Sequence, residues 1–301
     1  MSGADLYDEL RPRAFAIAYR MLGSVGEAED VVQEAFLRLH QTRRRGEAIA
    51  SPRAYVATLV TRLAIDELRS ARVRRERYVG EWLPEPLVGG SPPGSLPGLS
   101  PGPSPAEQAE QSDSLSLAFL VLLENLSPRQ RAAFLLREVF DYPYAEVAEI
   151  IGSDVDSTRH LVAKARRHVR ERRPRYAASR RQRDELARRF LAAAELGDLP
   201  ALETLLAQDV ALYVDGGGKV PAQRKPVHGR TRVARTLAAG IPLLARRDVR
   251  VEVREINGQP GLVALDAQER LVGIMALDVA DGEILAIHSV ANPDKLRRVT
   301  P

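Results

Sequence analysis

Cysteine is absent from this chain of 301 residues. Its absence excludes disulfides, thiol catalysis and thiolate-bound zinc. Histidine is scarce, with 5 residues spread along the chain, so we expect neither a metal site nor a cofactor. The longest apolar run, LAFLVLL at 117–123, is too short to span a bilayer, and the segment MSGADLYDEL at the start lacks the apolar core of a signal peptide. We therefore expect a cytoplasmic protein without a membrane partner.

Aromatic residues are also sparse, at 5% of the chain, with a single tryptophan. This scarcity favours helices rich in Ala, Leu and Arg. The length predicts two or three domains, for which a hydrophobic content of 45% is sufficient. The net charge of +4 favours an anionic partner, although its distribution matters more than its total.

Residues 5–77 have the pattern of helices. Ser24 and Glu27 are spaced as a capping box, and Val32, Phe36 and Leu39 then fall on one helix face. SPRAYVATLVTRLAIDELRS (51–70) predicts a further helix with serine as N-cap and proline at its first position. Acidic residues at 29, 30 and 34 fit either a partner surface or stabilisation of a helix dipole, and the arginines at 69–77 fit either DNA or a solvated helix end.

Residues 88–105 have a different composition, since 15 of these 18 residues are Gly, Pro or Ser. Such a segment cannot form a core and is typical of a tether. It predicts that the chain continues into a second, separately folded unit.

Residues 111–173 predict a helix-turn-helix. The helix PYAEVAEIIG and the turn SDVD precede a basic helix, and residues 157–175 carry eight Lys or Arg against one Glu. The face predicted to be buried consists of Thr158, Leu161, Val162, Ala165 and Val169. The basic faces fit a DNA major groove, with bases near the helix N-terminus and phosphates further along, although a solvated arginine-rich helix has the same composition.

From about residue 180 the pattern is that of an α+β domain. Two helices, at about 182–196 and 198–207, come before short β-like runs such as DVALYVD, VRVEVREI and GEILAIHSV. We expect these runs to form a curved antiparallel sheet.

Together, the helical stretches resemble the bacterial extracytoplasmic-function σ factors of the σ70 family. AEDVVQEAFLRLH and AYVATLVTRLAIDELRSARVRR are similar to σ region 2, and LSPRQRAAFLLREVFDYPYAEVAEIIG with the basic helix is similar to σ region 4. The resemblance implies region 2 at 1–78, a linker at 79–110 and region 4 at 111–176. It implies promoter DNA and the β′ clamp and β flap of core RNA polymerase as partners.

The resemblance also assigns residues to these partners. Core polymerase would be contacted by Asp30, Gln33, Glu34 and Phe36. The −10 element would be contacted by Tyr55, Thr58, Arg62, Asp66, Arg69 and Arg72, and the −35 element by Ser157, Thr158, Arg159, His160, Lys164, Arg166 and Arg167. Arg62 stands where the family often has Asn, and Thr158 stands where an apolar residue is common.

Residues 180–301 resemble a SnoaL-like domain, which has a cone-shaped α+β fold of the nuclear-transport-factor type. WLPEP, DGGGK and NPDKL are similar to segments of σ factors in which such a domain is a built-in regulator, so that no separate anti-σ factor is required. The regulatory contacts would come from Trp82, Leu83, Pro84, Glu85, Pro86, Asp215, Gly216, Gly217, Gly218, Lys219, Asn292, Pro293, Asp294, Lys295 and Leu296. A small-molecule ligand in the SnoaL-like pocket is left open.

Trp82 raises a question of its own, because a tether has no use for a large aromatic ring. We expect WLPEP to pack against the C-terminal domain near DGGGK or NPDKL, with its prolines lowering the cost of docking. The alternatives are that Trp82 caps region 2 and that DGGGK is only a tight turn.

Two other functions remain open at this point. The first is a small-molecule-binding or cyclase-like enzyme domain fused to a DNA-binding module, with Asp215, His228 and His288 as the acid–base candidates. The second is an ordinary helix-turn-helix repressor, which would leave the region 2 resemblance without an explanation. We expect a σ factor and no catalysis.

Overall fold

The computed structural model describes residues 3–76, 78–89, 114–172 and 179–299. These residues form two compact units. The N-terminal unit contains residues 3–76, Ser114 and residues 120–172, and the C-terminal unit contains residues 78–89, 115–119 and 179–299. The first part of the segment that the sequence assigns to the linker therefore folds with the C-terminal unit.

The N-terminal unit begins with three helices, α1 (Gly3–Leu22), α2 (Val25–Arg44) and α3 (Pro52–Glu76). Ser24 is the N-cap of α2, and its hydroxyl accepts the amide proton of Glu27 at 3.3 Å. Val32 and Leu39 are buried as the periodicity predicts. The helices pack along these apolar faces, which leaves the acidic face of α2 exposed.

The chain continues through α4 (Leu117–Leu123) and α5 (Pro128–Phe134), and Ser127 and Gln130 close a capping box at the start of α5. Residues Leu135–Val139 form a π-helical turn, although the sequence predicts one regular helix over RQRAAFLLREVF. Helix α6 (Tyr144–Ile151) ends at Gly152, which has a φ of 64°. It leads into the basic helix α7 (Val155–Arg172), so the predicted helix-turn-helix is confirmed.

In the C-terminal unit, α8 (Arg180–Leu196) and α9 (Leu199–Leu205) precede a six-stranded sheet. The strands are β1 (Leu206–Asp215), β2 (Val227–His228), β3 (Arg250–Ile256), β4 (Gln259–Leu265), β5 (Leu271–Ala280) and β6 (Glu283–Val290), in the order β2-β1-β6-β5-β4-β3. The expectation of a fully antiparallel sheet is wrong, because β1 and β6 pair in parallel. The short helix α11 (Pro293–Leu296) closes the described chain, between strand β6 and residue 299.

A further helix, α10 (Arg230–Ala245), is not among the elements that the sequence predicts. It contains both Gly240 and Pro242, which obscure the helical pattern. Val233, Ala234, Leu237 and Ile241 face the core, where they meet Phe190 of α8 and strands of the sheet. This helix covers one face of the sheet, which determines where a cavity forms.

Candidate functional site

The exposed face of α2 carries the residues expected to contact core polymerase. Asp30 and Gln33 are exposed, and Glu34 is half-buried and pairs with Arg38 at 2.7 Å. The Phe36 ring packs on the Tyr7 ring with 4.6 Å between centroids, so part of its surface is covered within the protein. Leu37 is 51% exposed on this same surface, and sequence reasoning missed it. The sequence did contain a signal for Leu37, because it is an apolar residue that does not fall on the buried face of the helix.

The residues expected at the −10 element lie along α3. The Tyr55 hydroxyl is 3.0 Å from the Thr42 hydroxyl, and Thr58 donates to the carbonyl of Ala54. Asp66 and Arg69 are exposed and pair with each other. Arg72 lies in α3, but its side chain falls outside the described part of the structure.

Arg62 is engaged in a contact that the sequence did not predict. Its Nε and Nη2 atoms each lie 2.9 Å from a backbone carbonyl oxygen, of Ile150 and Glu149 respectively. These carbonyls end helix α6, where the helix dipole favours a cation. The arginine expected at the −10 element is thus bound to the helix that precedes the predicted −35 recognition helix.

Other arginines make similar contacts within the N-terminal unit. Arg75 donates to the carbonyl of Leu22, and the buried Arg131 donates to the carbonyls of Met21 and Leu123. Both also bind Glu124. Charge-assisted bonds of this kind are stronger than neutral ones. They join helices of the two σ-like segments.

The residues expected at the −35 element lie near the start of α7. Ser157, Arg159, His160, Lys164 and Arg167 are exposed there. Arg166 binds Glu138 through two nitrogens, at 2.7 and 3.0 Å, and this pairing raises the pKa of Arg166. Of the three basic residues Lys164, Arg166 and Arg167, Arg166 is therefore the one that Glu138 holds within the protein.

Thr158 does not fit the role of a DNA contact. Its side chain is fully buried, and its hydroxyl donates to the carbonyl of Asp154 at 2.8 Å. The hydrogen-bonding capacity of the hydroxyl is thereby used within the helix, on the preceding turn. The prediction that Thr158 contacts the −35 element is wrong, and its predicted place on the buried face is confirmed.

Trp82 and its neighbours dock on the C-terminal unit. We call residues 78–89 the linker segment. We call the hydrogen-bonded group that holds it the linker seat; this group consists of Asp215, Asn292 and Lys295 together with Tyr78 and Leu83 of the segment itself. The Asp215 carboxylate accepts from the Tyr78 hydroxyl at 2.5 Å, from the Leu83 amide at 2.9 Å and from the Lys295 ammonium at 2.7 Å. Lys295 also donates to the Leu83 carbonyl. The expected contact between WLPEP, DGGGK and NPDKL is therefore observed.

The Trp82 ring completes the seat. The Lys295 ammonium lies 4.3 Å from its centroid and 5.2 Å from that of Tyr78. Asp215 is fully buried and Lys295 is 6% exposed, so the rings and the carboxylate replace water around the ammonium. Burial and the hydrogen bond to Asp215 raise the pKa of Tyr78, which keeps its phenol protonated as a donor.

The remaining motif residues shape the seat. Pro84 and Pro86 are buried, Glu85 is half-buried, and Leu296 is buried behind the seat. Asn292 is the N-cap of α11, which starts at Pro293, and its amide donates to the Tyr78 hydroxyl at 2.7 Å. Lys219 pairs with Asp294 at the surface, which lowers the pKa of Asp294.

Two residues outside the predicted set also fix the linker segment. Tyr78 lies in the seat itself. Asn257, which has a φ of 51°, exchanges two bonds with Leu87 at 2.7 and 2.8 Å. Val88 then bridges Ile256, and the Gly89 amide donates to the carbonyl of Glu255. The linker segment thus ends in a single antiparallel bridge to the end of β3.

The glycines of DGGGK are required by close contacts and not only by a turn. A Cβ on Gly217 would overlap the Asn292 amide, and one on Gly216 would lie 2.7 Å from the Ala222 Cβ. Gly218 has a φ of 69°, and a Cβ there would approach Val79 to 3.1 Å. Larger residues would push the loop away from the linker segment.

Comparison with known proteins places the chain in a family. A model described as Sigma-70 region 2 matches residues 6–74, and one described as Sigma-70, region 4 matches residues 116–169. The ECF RNA polymerase sigma factor SigJ of Mycobacterium tuberculosis (strain ATCC 25618 / H37Rv) is 35% identical over 297 residues, covering 96% of this chain and 91% of SigJ. This chain belongs to the extracytoplasmic-function family of RNA polymerase σ factors.

Two further matches agree with this assignment of the σ factor. A probable ECF RNA polymerase sigma factor, SigI of Mycobacterium tuberculosis (strain CDC 1551 / Oshkosh), is 32% identical, covering 93% of this chain and 90% of SigI. The crystal structure of Mycobacterium tuberculosis SigJ aligns with a TM-score of 0.75 at 32% identity, covering 98% of this chain and 99% of that one. The C-terminal domain of the σ factor has the expected SnoaL-like α+β fold.

The acid–base candidates of the σ factor's C-terminal domain do not meet in a cavity. Leu212 and Val214 of β1 line a cavity of about 540 Å³ between α10 and the sheet. Asp215 lies in the linker seat, His288 stacks on Tyr213 with 5.2 Å between centroids, and His228 is exposed on β2. Side chains alternate along a strand, so Asp215 and His288 face away from this cavity. Burial lowers the pKa of His288 to about 4.

Two searches of the described residues give negative results. Within 3–76, 78–89, 114–172 and 179–299, no three His, Cys, Asp or Glu side chains are grouped so that they could hold a metal ion. In the same ranges, no helix is both long and apolar enough to cross a membrane.

Proposed function

We propose that the C-terminal domain of this σ factor restrains transcription initiation by holding the linker segment in its seat. The segment follows directly on α3, which carries the residues assigned to the −10 element. The observation that supports the proposal most strongly is the buried contact of Lys295 with Asp215, the Leu83 carbonyl and the Trp82 ring. A device in cis of this kind would need no separate anti-σ factor.

We further propose that the restrained form keeps the two DNA-reading segments together. Arg62 of α3 is bound to the end of α6, and Arg166 of α7 is bound to Glu138. Promoter binding would have to exchange these protein partners for DNA. Phosphates compete well for arginine, and the exchange becomes less favourable as salt rises.

The roles of the σ regions follow the family. In this proposal the exposed face of α2, including Asp30, Gln33 and Leu37, binds core polymerase. The exposed face of α3 meets the −10 element, and the start of α7 enters the major groove at the −35 element. Such a protein works in the cytoplasm, where polymerase and promoter are found.

We propose that the C-terminal domain binds and does not catalyse. The described lining of its cavity contains no titratable side chain, so no general acid or base reaches that space. His288 is buried and neutral on the other face of the sheet. This is a binding domain attached to a σ factor, and the cyclase-like alternative lacks its residues.

Run-off transcription with core RNA polymerase tests the restraint. Trp82→Ala removes the ring over Lys295, and Tyr78→Phe removes the hydroxyl that binds Asp215 and Asn292. Both variants of the full chain should transcribe several-fold more than the parent. Tyr142→Phe is the control, because the Tyr142 hydroxyl makes no hydrogen bond to any residue that the structure describes. Unchanged transcription by both seat variants would refute the proposal.

A further inference from the structure

The cavity of the C-terminal domain is lined mostly by apolar side chains. It is lined by α10 on one side and by β1, β4 and β5 on the other, with a volume of about 540 Å³. Apolar side chains dominate, among them Leu237, Ile241, Leu262 and Met275. A space of this size accommodates a small organic molecule.

Three side chains supply polarity to this cavity. They are Gln223, Thr236 and Ser289, all uncharged. Thr236 already donates to the carbonyl of Arg232 at 2.9 Å. Ser289 is 8% exposed and lines the cavity, and its hydroxyl makes no hydrogen bond to any described residue. The hydroxyl can therefore bond to an occupant that offers one hydrogen-bonding group.

A charged occupant is disfavoured by the same lining. A carboxylate or an ammonium in the apolar interior of the cavity would lose its hydration without gaining a counter-ion from the described walls. The occupant that fits is therefore neutral, mostly hydrocarbon, and carries a hydroxyl or carbonyl group within reach of Ser289.

One wall of the cavity is shared with the linker segment. Val214, Pro221, Ala222 and Gln223 line the cavity on one side. The same four residues line a smaller space that is bounded by Val79 and Gly80. Gly216 packs on Ala222, and Gly218 packs on Val79, so the loop from 216 to 224 lies between an occupant and the linker segment.

We propose that this cavity binds a neutral, mostly hydrocarbon molecule, and that residues 220–224 transmit its binding to Val79, Gly80 and Trp82. The transmission step rests on the regulatory function proposed above, whereas the binding site does not. An occupant that displaces Ala222 also displaces the loop on which Val79 rests. Since Gly218 of this loop lies against Val79, a shift of the loop changes the contacts of the linker segment at Val79.

Binding is tested with two ligands of equal chain length. The full chain is saturated with 1-aminoanthracene, a neutral probe that fluoresces in apolar surroundings, and the probe is displaced with 1-decanol or with decanoate. Decanol should displace the probe at least about tenfold more effectively, since decanoate would have to bury its charge. Equal displacement by both ligands, or failure of the probe to bind, would overturn the site.

A variant that fills the cavity locates the binding. Gly240 lies at the exposed rim of the cavity, where an added Cβ meets no atom within 4 Å, so Gly240→Leu should obstruct the cavity without a clash. The matched control is Ala239→Leu, which adds the same bulk at the next, exposed position of α10. Gly240→Leu should abolish probe binding, and the control should keep it. Retained binding in Gly240→Leu would overturn the assignment.

Transmission to the linker segment is read from Trp82, the one tryptophan of the chain. Decanol should change the Trp82 emission with the same midpoint as it displaces the probe, and Gly240→Leu should abolish this change. Displacement with an unchanged Trp82 emission would overturn the transmission. The transcription test of the seat uses no added molecule, so its failure can be distinguished from failure here.

Discussion

Lys295 and Asp215 form a buried ion pair in the linker seat, 2.7 Å apart. Burying two charges is costly, and only good geometry and additional hydrogen bonds compensate for it. Both conditions are met here, because Asp215 accepts four donors and Lys295 faces two rings. This pair therefore holds the linker segment in one place, and loss of either partner leaves a buried charge.

The first prediction concerns this pair. Lys295→Met and Asp215→Leu should each lower the free energy of unfolding by about 3–5 kcal/mol, and the double variant should cost clearly less than their sum. Chemical denaturation followed by Trp82 fluorescence measures all three. Lys219→Met is the control, since the exposed Lys219–Asp294 pair is screened by water and should contribute far less to stability. Additive costs would contradict the account.

His288 gives a second prediction at the residue scale. Its folded pKa of about 4 lies below the ordinary value of 6.5, so between these pH values the unfolded chain binds a proton that the folded chain does not. Stability is therefore complete above about pH 6.5 and falls by roughly 3 kcal/mol as the pH drops to 4.

His288→Phe keeps a ring against Tyr213 and removes the titration. The difference in unfolding free energy between parent and variant should therefore shrink towards acid pH. A difference that does not depend on pH would show that the buried imidazole is not the cause.

Single residues also show the limits of sequence reasoning. Lys295 and Asp215 were found because they lie in motifs, whereas Tyr78 and Asn257 lie in none and act through contacts distant in sequence. Thr158 was assigned both to a buried face and to DNA, and only burial distinguishes the two. The local sequence pattern predicts on which face of a helix or strand a residue lies. Tertiary packing determines which other residues that face contacts.

The basic helix α7 is the element from which DNA recognition is best tested. Lys164 and Arg167 are exposed, whereas Arg166 is bound by Glu138. Lys164→Ala with Arg167→Ala should reduce run-off transcription several-fold and lower the salt slope of DNA binding by about 2, while core polymerase binding is kept.

A control variant with the same loss of net charge, placed away from α7, shows whether the charge alone causes the effect. Arg246→Ala with Arg247→Ala removes the same charge at the end of α10 and should leave transcription near the parent level. Loss of core polymerase binding in the α7 variant would contradict its assignment to DNA.

Helices with an uninterrupted apolar periodicity could be predicted from the sequence, whereas a helix whose periodicity is interrupted by glycine and proline could not. Helices α2, α3 and α6 begin or end where caps and glycine place them. Helix α10 was missed because Gly240 and Pro242 break its pattern, although its core face is intact. The parallel pairing of β1 with β6 depends on which strands become neighbours, and no local pattern encodes that.

At the scale of the whole molecule, the family and its order of domains could be predicted from motifs. The extent of the linker could not, because the sequence marks a tether by composition at 88–105 while residues 78–89 fold with the C-terminal unit. The hydrogen bonds of Leu87 to Asn257 and of Gly89 to Glu255 explain this difference, since they attach the end of the linker segment to the edge strand β3.

The absence of cysteine allows one decisive test of the restraint. Val88 and Ile256 lie opposite each other in an antiparallel bridge, a geometry that a disulfide spans. Val88→Cys with Ile256→Cys would therefore lock the linker segment to the C-terminal domain when oxidised. Each single cysteine variant serves as a control for the substitutions themselves.

Run-off transcription by this variant with core RNA polymerase, before and after reduction, is the most direct measurement of the central claim. The account predicts that the oxidised protein is inactive, that reduction restores transcription, and that the single variants do not respond to reduction. Equal transcription by the oxidised and reduced forms would show that the linker segment need not leave its seat, and would contradict the account.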